Sequence, residues 1–76
     1  MKKINAKDLR EKYYFVLYDM NDYPICYFDN FDELKQHLNY PLKKINYMLN
    51  IYGNLIHIKI GYKLYKLFAT NELENF

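Results

Sequence analysis

Four polar side chains in one short stretch have the types and spacing to touch a nucleic acid. After Pro41, the apolar residues Leu42, Ile45, Met48, Leu49 and Tyr52 recur at helical spacing. At roughly 100° per residue, Lys43, Lys44, Tyr47 and Asn50 then point the other way. Lys neutralises phosphate, Asn pairs bidentately with adenine, and Tyr reaches phosphate or stacks on a base. Lys59, Lys63 and Lys66 follow in a segment that reads as a hairpin, which we expect to act as a basic wing. From residue 41 to residue 68 the chain carries no carboxylate at all. The plain alternative is that Lys and Asn merely fill a solvated helix face. Composition gives that alternative weight, because Lys, Asn, Ile, Tyr and Phe, all with A/T-rich codons, make up more than half of the chain and Ser is absent. Such a bias predicts a low-GC bacterium, or one of its phages or plasmids, as the source.

Other chemistries lack their parts. There is no Ser nucleophile, and two glycines cannot form a phosphate-cradling loop. Cys26 stands alone in an expected strand and reads as a buried thiol. His37 and His57 have no paired nucleophile in sequence and read as surface residues. Asp19, Asn21 and Asp22 superficially suggest a calcium loop, but the glycine and the distal glutamate that loop requires are missing; they read as turn formers. One Cys and two His are too few for a four-ligand zinc site. We therefore expect no catalytic residues, no metal, no cofactor and no enzyme activity.

At 76 residues and 51% apolar composition the chain is expected to fold as one domain, residues 1–76, with 1–4 and 71–76 frayed. The longest apolar run, Tyr13 to Tyr18, is far short of the roughly 20 residues needed to span a bilayer. Charged residues at Asp8, Arg10, Glu11 and Lys12 interrupt any signal-peptide core. A single cysteine fits a reducing compartment, so a cytoplasmic protein is expected.

The elements that must position the candidate residues follow from capping and periodicity. Asn5 is placed to cap a short helix at 5–11. The β-branched and aromatic run 13–18 predicts a strand, 19–24 a turn, and 25–28 the returning strand, with Pro24 confined to its start or to a sheet edge. Asn30 with Glu33 resembles a capping box opening a helix at 31–38, with Phe31, Leu34 and Leu38 on one face. Asn39 ends that helix. Pro41 suits the first position of the next, at 41–51, which Gly53-Asn54 closes. In 55–60, Ile56, Ile58 and Ile60 share one face while His57 and Lys59 share the other; Gly61 turns the chain into a strand at 63–68. The expected fold is a small α+β domain, (α)ββααββ, with two β-hairpins flanking a helix-turn-helix-like pair. Alternation should bury many of the tyrosines.

The stretch Val16-Leu17-Tyr18-Asp19, Ile25 to Leu34, and Leu38-Asn39-Tyr40-Pro41-Leu42-Lys43-Lys44-Ile45-Asn46 resembles a helix-turn-helix module. That module occurs beside phage and intron homing endonuclease domains and in small Gram-positive phage proteins. The likeness covers roughly 14–50 and departs from the family pattern at Asp29-Asn30, Asp32, Lys35 and Tyr40-Pro41. By resemblance, residues 42–50 would face DNA. The leading expectation is a small non-enzymatic DNA-binding protein of phage or mobile-element type. Its partner would be double-stranded DNA, and a homodimer would read half-sites about 34 Å apart. The alternative is a phage-type inhibitor of a host nuclease or CRISPR effector (anti-CRISPR-like), with Asp19, Asp22, Asp29, Asp32 and Glu33 mimicking phosphates. A third possibility is a single-strand binder that stacks bases on exposed tyrosines.

Overall fold

Asparagines stand at three of the six helix boundaries in the computed structural model, which describes residues 3–71. Asn5 Oδ1 accepts from the Asp8 N–H at 2.8 Å and starts α1 (Ala6–Lys12). Asn30 Oδ1 accepts from the Glu33 N–H at 3.0 Å and starts α2 (Phe31–Leu38). Glu33 Oε2 reaches back to accept from the Asp29 N–H at 3.2 Å, the reciprocal half of a capping arrangement. Asn39, left-handed at φ 52° and ψ 40°, closes α2. The third helix, α3 (Leu42–Tyr52), begins one residue later than expected, since Pro41 is its N-cap at φ −70° and ψ 138°. Gly53, at φ 94°, ends it.

Four strands form one antiparallel sheet: β1 (Tyr14–Tyr18), β2 (Pro24–Phe28), β3 (Leu55–Ile60) and β4 (Lys63–Thr70), in the order β2-β1-β4-β3. The two hairpins flank α2 and α3 in chain order, as expected. They join edge to edge through β1 and β4, with Val16 opposite Phe68 and Leu17 opposite Leu67. Pro24 lies at the start of edge strand β2, where its missing N–H costs nothing, and the register shifts there between Leu17 and Tyr18. In the 19–23 loop, Asp19 Oδ1 accepts from the Asn21 and Tyr23 N–H groups at 2.8 and 3.0 Å. These residues are turn formers, as their types suggest.

All three helices lie on one side of the sheet. Phe15, Leu17, Phe28, Ile56, Ile58, Leu67 and Ala69 face them from the strands, and Leu9, Phe31, Leu34, Ile45 and Leu49 close the core from the helices. Phe15 and Phe31 meet edge-on at 6.2 Å between centroids, a favoured aromatic geometry. The helix neighbour of α3 is α1, which also packs on α2. Burial departs from the sequence expectation at three places. Tyr52 is 71% exposed rather than part of the core stripe. Cys26 is half-buried, because its strand is an edge. No tyrosine belongs to the fully buried core. Of the termini expected to fray, residues 1–2 and 72–76 lie outside the described residues. Ile4 is not frayed: its backbone is tied to α3, as described below.

Candidate nucleic-acid interface

The α3 helix turns Ile45 and Leu49 into the core and leaves Lys43, Lys44 and Tyr47 outside, Tyr47 at 66% exposed. That is the outward ridge expected from periodicity. Its first turn is electrostatically unusual. Helix N-termini carry partial positive charge and favour carboxylates, yet this one has no acidic residue in its first turn and no side-chain cap. Two lysines stand there instead. Backbone N–H groups of the first turn and two ammonium groups therefore point into the same solvent. Lys44 also lies over the ring of Tyr40, with Nζ 5.2 Å from the centroid, which holds it beside the α2–α3 turn. Lys3 extends the basic surface: with Lys43, Asn46, Tyr47, Asn50 and Ile51 it lines a shallow depression along α3.

Asn50 borders this surface, but its amide is turned to the chain itself. Its Oδ1 accepts from the Ile4 N–H at 2.7 Å, and its Nδ2 donates to the Ile4 carbonyl at 2.9 Å and to the Asn46 carbonyl at 3.0 Å. The amide thus pairs with Ile4 as a neighbouring strand would, and pins the segment entering α1 against α3. With both of its donor hydrogens engaged, the amide cannot pair bidentately with adenine. The expected base-reading role of Asn50 is replaced by a structural one.

The hairpin lysines are divided, so the basic wing does not form as a unit. Alternation puts Lys63 on the helix side of β4, at its tip, and Lys66 on the opposite side. Lys59 shares the face of His57 on β3, away from the helices, yet it borders a depression that Lys44 also lines. Lys66 is lost to solution contacts: Nζ bonds Asp22 Oδ1 at 2.6 Å, and its side chain is 20% exposed. The surface that remains is Lys3, Lys43, Lys44 and Tyr47, with Lys59 at its border. Sequence alone gave no signal for Lys3, whose place depends on the Ile4–Asn50 clamp.

The carboxylates considered as phosphate mimics are mostly occupied locally. Asp22 holds Lys66, Asp19 and Glu33 bond backbone N–H groups, and Asp32 lies 3.7 Å from Arg10. His37 packs against Phe28, with 5.4 Å between ring centroids. No group of three or more His, Cys, Asp or Glu side chains suited to a metal occurs among the described residues. No helix among them is long and apolar enough to cross a membrane. Comparison with family models, with curated proteins and with solved structures finds no match to this chain.

Proposed function

We propose that this chain is a small non-enzymatic DNA-binding protein that grips duplex phosphates with the start of α3. One observation carries the reading: an uncapped, acid-free helix N-terminus that exposes two lysines. Folding alone disfavours that arrangement, because cations at the positive end of a helix repel it by a few tenths to about 1 kcal/mol. A phosphate there reverses the sign, accepting from the N–H groups and pairing with both ammonium ions. Tyr47, one turn further along the exposed ridge, supplies a phenol to a phosphate or a base edge. Lys3 extends the contact along the backbone.

The test is binding of the purified protein to random-sequence duplex across a salt series. Each neutralised phosphate contributes a slope of about −0.9 in log K against log salt. Replacing Lys43, Lys44 and Tyr47 by Ala should remove most of the affinity and lower the slope by about 2, with the thermal melt unmoved or slightly raised, because all three side chains are exposed and the two ammonium groups oppose the helix dipole. A triple variant that binds duplex as tightly as the parent, with the same slope, overturns the proposal.

A further inference from the structure

Antiparallel sheets covered by helices on one side ordinarily turn polar residues to the other. This one does not. Across the uncovered face runs an apolar row on all four strands, Tyr27, Val16, Phe68 and Leu55, fixed by the registers Val16–Tyr27, Val16–Phe68 and Leu55–Phe68. Tyr14 stacks on Tyr27 at 6.5 Å and 13°, continuing the row at one end. Tyr27's phenol is pushed above its ordinary pKa of 10.0, by desolvation first and then by the neighbouring Asp29 carboxylate. Beside the row, Tyr18, Leu55, Phe68, Lys66 and Asp22 outline a shallow depression.

We infer that this face packs against the same face of a second copy of the chain. Three observations select that occupant. The first is area. Tyr27 (47% exposed), Leu55 (43%) and Leu64 (51%) leave about 300 Å² accessible, at roughly 200 Å² per large side chain. With the partly exposed Tyr14, Val16, Tyr18 and Phe68 the face reaches about 500 Å² per protomer, or about 1,000 Å² in a dimer, the size of a weak specific interface. The second is the charge at the centre: Lys66 is neutralised by Asp22 in the same chain, so two copies meet without repulsion and a nucleic-acid backbone finds no cation there.

The third is the charge at the flanks, which also fixes the symmetry. The loop joining β1 to β2 carries Asp19, whose carboxylate bonds only backbone N–H groups, at one side of the face, and Lys59 lies on β3 at the other. A two-fold axis along the strands lays each β2 on the partner's β3 and brings Lys59 to the partner's acidic loop. An axis across the strands would lay β2 on β2, setting acid-flanked edges together and leaving Lys59 without a carboxylate. Aligned packing of two sheets about 10 Å apart accommodates the first arrangement. The surface is on the side of the sheet away from α3, so this inference stands independently of the DNA-binding reading.

Sedimentation equilibrium from about 1 µM to about 1 mM tests it, since an interface of this size gives a dimer in that range. The parent should pass from monomer to dimer. Tyr27→Lys with Leu55→Lys, both at exposed edge-strand positions where lysine is well tolerated, should weaken the dimer at least 30-fold. Their melting, followed at the dilute end, reports whether the fold survives. Lys59→Asp should weaken it about tenfold if Lys59 faces the partner's acidic loop; an unchanged or stronger dimer overturns the proposed axis. A dimer that survives the double lysine variant is held elsewhere, such as at the free edge of β3, and overturns the proposal. So does a parent that stays monomeric throughout, and one that instead binds oligothymidylate through Tyr27 would make the face a base-stacking platform.

Discussion

Replacing Asn50 by Ala separates the two roles this residue has been given. As a base reader on an exposed ridge, it would be removed at no cost to folding. In the structure its amide satisfies both backbone groups of Ile4, at 2.7 and 2.9 Å, in a partly buried setting. Each such bond contributes about 0.5–1.5 kcal/mol net, and more where the abandoned group stays out of water. Asn50→Ala should therefore cost about 2 kcal/mol. For a domain of this length that is a large share of a total of roughly 4–11 kcal/mol, and it lowers Tm by about 8–16 °C. Thermal and urea denaturation followed by circular dichroism give the number; amide exchange at Ile4 gives the location, since its N–H should lose protection before the sheet does. Asn50→Asp, which in the last turn of α3 sets a carboxylate oxygen against the Ile4 and Asn46 carbonyls, should cost at least as much as Ala. An Asn50→Ala protein that melts within about 1 °C of the parent would refute the clamp.

Two further predictions concern single contacts. Asp22→Asn retains a residue tolerant of the left-handed backbone at φ 68° and deletes only the charge facing Lys66. Because Asp22 is largely exposed, the loss should be about 0.5–1 kcal/mol at low salt and vanish at high salt, as measured by urea midpoints. Gly61 takes φ 63° in the two-residue turn between Ile60 and Lys63; Gly61→Ala should cost about 1–2 kcal/mol through backbone strain alone, and Gly61→Asn distinctly less in the same thermal melt.

Local signals in the chain were legible, and long-range ones were not. Asn5, Asn30 and Asn39 announce helix ends because a cap bonds within four residues of itself, so the sequence window contains the whole interaction. The Ile-His-Ile-Lys-Ile alternation of β3 states its two faces outright. The continuous run Tyr13 to Tyr18 does not, because with apolar residues on both sides period two has nothing to show. That ambiguity is the signature of a strand apolar on both faces, and it was the sign of the open apolar surface. The Asn50–Ile4 clamp spans 46 residues and the Lys66–Asp22 pair 44. Nothing near either residue in sequence names its partner, so both looked like exposed ligand-facing groups. Tyr52 fits the helical stripe by angle, yet it stands at the last turn of α3 and remains largely exposed, because helical phase fixes direction and not what lies opposite.

The geometry of the sheet constrains how the two proposed surfaces can work together. The helices occupy one side of the sheet and the apolar row the other, so a face-to-face dimer carries its two α3 helices on opposite outer surfaces. Two sheets about 10 Å apart, each backed by a helix layer about 10 Å further out, separate the α3 axes by roughly 30 Å. That distance is close to one turn of duplex, but the exposed ridges look away from each other. Two recognition helices that read successive half-sites must face the same side of the DNA. The dimer argued from the open face therefore cannot read a palindrome one turn apart, as a homodimer was first expected to do. Each protomer would instead grip its own duplex segment, and dimerisation would join two segments of DNA without strengthening the hold on either.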